Sequence, residues 1–203
     1  MKQPVRERIV DAADRIIRER GFGAATTKEI AREACCSEGS IYVYFEDKIA
    51  LFTAALLERN EELADLLRLP ERAGERSVQA NLEEQAIGLI HLLSLKLPYL
   101  LSVLGNPGVL ERYADRLREQ RSGPFAMADS VERYLKLEQK LGRIGPGVDI
   151  AAAASLLIGA CRDHVIAGRI LGGTPQEPPV YARAMVRTLM KGLAPRESAR
   201  TAH

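Results

Sequence analysis

Tryptophan is absent from this 203-residue chain, aromatic residues make up only 5% of it, and there are three histidines, His91, His164 and His203. None of these lies in a Glu-x-x-His or His-x-x-x-His spacing, so no helix offers a paired metal site. No glycine-rich loop follows a strand pattern, which removes phosphate cradles from the candidate chemistries. Neither a metal nor a cofactor is expected. Three cysteines, Cys35, Cys36 and Cys161, cannot build a disulfide framework, and the adjacent pair is too close in sequence for an ordinary bridge. That usage fits a reducing compartment. The first residues, Met1 to Arg6, are charged and lack the uninterrupted apolar core of a secretory signal, so the expected location is the cytoplasm.

An excess of one charge is missing as well. The net charge is +2, and the first fifty residues hold nine Lys and Arg against nine Asp and Glu. Any nucleic acid must therefore be held by a few placed contacts rather than by a broad positive field. One long apolar run, Ala86 to Gly105, approaches the length of a bilayer span but contains His91, Lys96 and Pro98. A lysine near the centre of a span costs about 2.5 to 3.5 kcal/mol, and no second span accompanies it. The run reads as a buried helix broken near Pro98, and no membrane partner is expected.

What is present is helical. Apolar residues at 46% and charged residues at 28% permit a packed core. Ala, Leu, Glu and Arg outnumber Val, Ile and Thr, which predicts an all-α fold. Val5, Ile9, Ala12 and Ile16, with Ala13 and Ile17 beside them, mark one helix face. Gly21 stops that helix, and Phe22 folds back onto the same face. Thr26 to Glu29 forms a capping box ahead of Ile30, Ala31 and Ala34. Ser37 caps a third short helix that buries Ile41 and Phe45. Asp47 caps a fourth, carrying Ile49, Phe52, Leu56, Leu63 and Leu67. Two short helices joined by three residues form a helix-turn-helix pattern. If Ile41 and Phe45 point inward, Gly39 and Val43 point outward with Ser40 and Tyr42 at the flanks, a small neutral face suited to base edges.

The run from Ile9 to Leu51, and above all Ser37-Glu38-Gly39-Ser40-Ile41-Tyr42-Val43-Tyr44-Phe45 with Lys48, closely resembles the DNA-binding domain of the tetracycline-repressor (TetR) family. The resemblance implies a domain at 1–46 and a larger helical ligand-binding and dimerisation domain at 47–203, with helix 47–67 as connector and about nine helices in all. It implies that Thr27 and Lys28 meet phosphate and groove edge. Ser37, Gly39, Ser40 and Val43 would face bases, and Tyr42, Tyr44 and Lys48 would reach phosphates. The family usually has glycine and a small apolar residue where this chain has Cys35 and Cys36. A cysteine at a turn position needing positive φ predicts mild strain. Glu38 replaces a common basic residue, and either rests at the helix N-terminus or accepts from a cytosine amino group.

Beyond Leu67, Pro and Gly clusters divide roughly five more helices. The small-residue segment Ala151 to Ala160 and the last helix imply a homodimer through about 149–171 and 179–193. Middle helices at 81–104 and 107–141 are where the family holds an effector, here expected to be small and mostly apolar, and His91, Phe125, Met127, Tyr134 and His164 are its candidate contacts. The partners so implied are a double-stranded, palindromic DNA operator, a small molecule and a second copy of the chain. The function implied is that of a ligand-released repressor, not an enzyme. Two other readings compete: a thiol-based redox regulator using Cys35 and Cys36, and an all-helical enzyme, for which adjacent Asp163 and His164 have poor pairing geometry on a helix.

Overall fold

The computed structural model describes residues 3–58, 61–105, 107–120, 124–169, 172 and 176–193. The described residues contain no strand and ten α-helices. These are α1 (Val5–Ala24), α2 (Thr27–Glu33), α3 (Glu38–Tyr44), α4 (Lys48–Glu58), α5 (Glu61–Leu67), α6 (Val78–Leu104), α7 (Pro107–Gln120), α8 (Pro124–Lys140), α9 (Ile150–Arg169) and α10 (Pro178–Leu193), with a 3-10 turn at Leu69–Arg72. The all-α expectation holds. Of the residues anticipated as one fourth helix, the described ones are α4 and α5, with residues 59 and 60 outside the described set.

Two compact units emerge, one formed by Met1–Asn60 with Leu95–Gly123 and the other by Glu61–Ser94 with Pro124–His203. In the first unit α1 buries Ile9, Val10, Ala13, Ile16 and Ile17. Onto that face pack Ile30 of α2, Ile41 of α3, Leu51 and Phe52 of α4, and Tyr99, Val109 and Tyr113 from the later segment. Phe22 meets Phe52 edge to face at 4.7 Å, and Phe52 meets Tyr99 at 5.7 Å. Such pairs add about 0.5 to 1.5 kcal/mol each beyond the area that they bury. The Tyr99 hydroxyl donates to both the backbone oxygen and the carboxylate of Asp14. Asp14 also holds Arg18 at 2.6 Å. Burial and the Asp14 charge push the Tyr99 phenol far above its ordinary range, so it stays a donor.

Gly21 interrupts α1 with φ 79° and ψ 165°. Only glycine occupies that region readily, and the bend it makes returns Phe22 to the core.

The expected break at Pro98 does not occur: α6 runs unbroken from Val78 to Leu104. An interior proline costs about 3 kcal/mol through its missing amide and its ring. Leu97 and Tyr99 on either side are buried, and two such burials at about 1.5 to 3 kcal/mol each outweigh that cost.

In the second unit α8 packs on the 3-10 turn and on α9, and α9 packs on α10. Leu69, Leu82, Val131, Leu135, Leu157 and Val186 are buried. Polar side chains join them. Asn81 donates to the Glu75 carbonyl at 3.1 Å and to the Tyr134 hydroxyl at 3.0 Å. Fully buried Glu138 accepts from the Gly74 amide at 3.2 Å and faces Arg143 at 3.2 Å. Helix α9, over Ile150–Gly168, is by length and composition apolar enough to cross a membrane. Its Ala153, Ala154, Leu157, Cys161 and Val165 are buried within this unit.

Gly21→Ala forces a side chain into a glycine-only conformation, and we expect it to lower the unfolding free energy by about 1 to 3 kcal/mol. Equilibrium urea unfolding measures this, and an unchanged midpoint would contradict the assignment of strain.

Candidate nucleic-acid interface

Helices α2 and α3 are seven residues each, too short to persist without caps and tertiary support. Both caps are present. Thr26 Oγ1 accepts from the Glu29 amide at 3.2 Å while the Glu29 carboxylate accepts from the Thr26 amide at 3.3 Å, completing the expected box. The Thr26 hydroxyl and amide hold the Glu29 carboxyl below its ordinary range. Ser37 Oγ accepts from the Ser40 amide at 3.2 Å, and the two serine hydroxyls are hydrogen-bonded to each other at 2.7 Å.

With Ile41 and Phe45 buried, the opposite face of α3 is bare. Val43 is 76% exposed, Tyr42 53% and Tyr44 45%. Gly39 lies four residues before Val43, and an added Cβ there would meet only Ser37 Oγ, at 3.9 Å. Exposed apolar and aromatic side chains on a short, otherwise well-packed helix mark a contact surface. Lys28 is exposed on α2, and no partner engages it among the described residues.

Two of the anticipated contact residues, Thr27 and Lys48, have partners that the amino-acid pattern did not reveal. Thr27 Oγ1 donates to Glu38 Oε1 at 2.5 Å, tying the start of α2 to the start of α3. Glu38 thus serves Thr27 in addition to lying in the first turn of α3, where a carboxylate suits the helix dipole. Lys48 Nζ donates to the Phe22 carbonyl at 2.7 Å and sits 4.3 Å from the Phe22 ring centre. Burial lowers its pKa from the ordinary lysine value. Two of its three ammonium donors remain after the Phe22 bond.

The turn between α2 and α3 carries its strain where the cysteine substitution suggested. Cys35 has φ 51°, a left-handed value rare outside glycine, asparagine and aspartate. Its thiol is exposed, whereas Cys36 is half-buried and packs against the core. Arg8 supports the turn by donating Nε to the Ala34 carbonyl at 3.0 Å.

Asp47 holds the opposite end of the interface. Its Oδ1 accepts from the Ala50 amide at 2.7 Å, capping α4, and its Oδ2 pairs with Arg112 from α7. Burial opposes its charge, but the Ala50 amide and the Arg112 guanidinium outweigh that and keep the carboxyl below its ordinary range. Arg112 and Tyr99 bring residues from far along the chain to the helix-turn-helix core, and no local pattern signals either one.

The five candidate effector contacts have different surroundings. His91 lines a cleft of about 730 Å³ with Leu66 of α5 and Gln85 and Gly88 of α6. Met127 is buried and accepts from Gln85 Nε2 at 3.3 Å, and Tyr134 is buried against Asn81. His164 is buried in a stack on Tyr181, with ring centres 4.2 Å apart. Phe125 is exposed.

Residues 9–55 match the family model described as bacterial regulatory proteins, tetR family. Over 156 residues the chain is 26% identical to the HTH-type transcriptional regulator UidR of Escherichia coli, an alignment covering 77% of each protein. A Mesorhizobium loti protein assigned to the TetR family of transcriptional regulators has a similar fold, with TM-score 0.78 at 21% identity, over 94% of this chain and 96% of that one. The transcriptional regulator FadR of Bacillus subtilis, solved in complex with stearoyl-CoA, has TM-score 0.67 at 19% identity over 92% of this chain and 98% of its own.

Two measurements check the local geometry. Cys35→Val should lower stability by about 1 to 2 kcal/mol because a β-branched residue is poorly tolerated at positive φ, whereas Cys35→Gly should not lower it. Asp47→Ala should cost about 1 kcal/mol at neutral pH through loss of the cap. A carboxyl with a depressed folded-state pKa stabilises above its unfolded value near 3.8 and ceases to do so as pH falls through its folded value. The difference between parent and Asp47→Ala, followed by urea titration, should therefore shrink as the pH is lowered below 3.8.

Proposed function

Because the chain belongs to the TetR family of bacterial regulatory proteins, we propose that it is a cytoplasmic, dimeric transcriptional repressor that leaves a palindromic operator when a small, mostly apolar ligand binds. The observation that carries this reading is the bare face of α3: Val43 and its flanking tyrosines are exposed on a helix whose other side is fully packed. Val43 offers a methyl surface to thymine, Gly39 permits close approach, and Ser37 and Ser40 bring hydroxyls to base edges. Tyr42, Tyr44, Thr27 and Lys28 reach phosphates, as does Lys48 through the donors that Phe22 leaves free.

In this reading residues 1–46 read DNA and residues 47–203 bind ligand and dimerise. One helix-turn-helix discriminates a few base pairs at about 1 to 3 kcal/mol each, which is too little to single out one site in a genome. Two copies related by a two-fold axis place their reading helices about 34 Å apart in successive major grooves. The faces available for pairing lie on α9 and α10, where Leu156 is 64% and Val180 52% exposed beside the small residues Ala151, Ala152 and Ser155. A ligand held among the middle helices needs to favour the released form by only about 1 to 3 kcal/mol, and DNA then weakens ligand binding equally.

Selection of bound duplexes from a random pool tests the reading, with a symmetric consensus expected and the absence of any enriched sequence overturning it. On that consensus, Val43→Glu should abolish specific binding. Lys28→Ala should weaken all sequences alike and reduce the slope of log affinity against log salt by about 1. An unchanged slope would remove Lys28 from the contact set.

A further inference from the structure

Glu38 is exposed and directly precedes Gly39 on α3, and no cation pairs with it among the described residues. What holds it is a neutral group from another helix: Thr27 Oγ1 of α2 donates to Glu38 Oε1 at 2.5 Å. A threonine hydroxyl has a single proton, so this bond uses all of its capacity as a donor. The carboxylate is thereby fixed in place without being neutralised. It retains open lone pairs on both oxygens, since an ionised carboxylate offers about four acceptor sites.

A fixed negative charge on a surface proposed to meet phosphates opposes binding by Coulomb repulsion. That repulsion is offset only where the DNA supplies a proton. In the major groove two bases do so, cytosine through N4 and adenine through N6. Guanine turns two acceptors outward, and thymine an acceptor and a methyl group, so neither has a proton for Glu38. Adenine also sets its N7 acceptor beside the amine, against the second carboxylate oxygen, whereas cytosine shows its amine alone.

In a helix-turn-helix the opening residues of the second helix are the ones that meet base edges, and Glu38 opens α3. Resting on the DNA-binding function proposed above, we infer that Thr27 and Glu38 form one reading unit that selects cytosine at a fixed position of each half-site. Glu38 accepts from the cytosine N4 amine. Thr27 is a positioning residue, holding Glu38 Oε1 so that the other oxygen is presented in one direction. With its hydroxyl proton so committed, Thr27 meets phosphate through its backbone amide.

Selection from a random duplex pool, run in parallel on the full-length parent and Glu38→Ala, tests this assignment. The parent consensus should carry a cytosine in each half-site that Glu38→Ala no longer enriches, with the other positions kept. In direct titration the parent should prefer that cytosine over thymine about tenfold. Thr27→Val should cut the preference to about threefold by removing one hydrogen bond, and Thr27→Ser should restore it. A duplex whose cytosine lacks only its N4 amino group should bind the parent about tenfold more weakly and Glu38→Ala with unchanged affinity. Should Glu38→Ala fail to fold, the shape-preserving Glu38→Gln keeps its oxygen on Thr27 and presents Nε2 as a donor, so preference should move from cytosine toward thymine or guanine. A cytosine still enriched by the Glu38 variants, an equal loss in both proteins on removing the amine, or a preference untouched by Thr27→Val would overturn the assignment and leave the regulatory reading standing. A parent that enriches no sequence overturns both.

Discussion

Neither α2 nor α3 could stand alone, so the bare outer face of α3 depends on the inward grip of Ile30, Ile41 and Phe45 on α1 and α4. A two-turn helix gains little from its own hydrogen bonds after the cost of ordering its first turn. The gain comes from burying the inner face, and Ile30 and Ile41 are essentially inaccessible while Phe45 is nearly so. Everything outward on α3 is thereby freed from structural duty. Val43 can be exposed because it contributes nothing to the core.

The same core explains why residues from the middle of the chain belong to the first unit. Tyr99, Val109 and Tyr113 complete the cluster that α1 and α4 begin. The Tyr99 hydroxyl fastens α6 to Asp14 of α1, and Arg112 fastens α7 to the cap of α4. A displacement of α6 or α7 would act on the very side chains that hold the helix-turn-helix together. In the proposed function, these are contacts through which ligand and DNA would be coupled.

Much of the local geometry around α2 and α3 was legible because its signals are local. The capping box, the Ser37 cap, the glycine turn at Gly21 and the burial of Ile41 and Phe45 all follow from residues within four positions of one another. The strain at Cys35 followed from one residue type at one backbone angle. What escaped was non-local or competitive. Nothing near Lys48 announces the Phe22 carbonyl 26 residues earlier, and nothing near Tyr99 announces Asp14, 85 residues away. Pro98 was misjudged because a local rule met a stronger burial term. His91, Met127, Tyr134, Phe125 and His164 were grouped by side-chain type, and type alone does not tell the exposed Phe125 from the buried Met127, Tyr134 and His164.

The mutual hydrogen bond of Ser37 and Ser40 has a consequence for the proposed reading of DNA. One hydroxyl donates to the other at 2.7 Å, which leaves the pair one O–H donor and open lone pairs, held in a preset direction. A base edge that met them would find both a donor and an acceptor already aimed. In that reading the aliphatic tip of Val43 and the close approach that Gly39 permits would add contour and methyl placement to this small polar vocabulary.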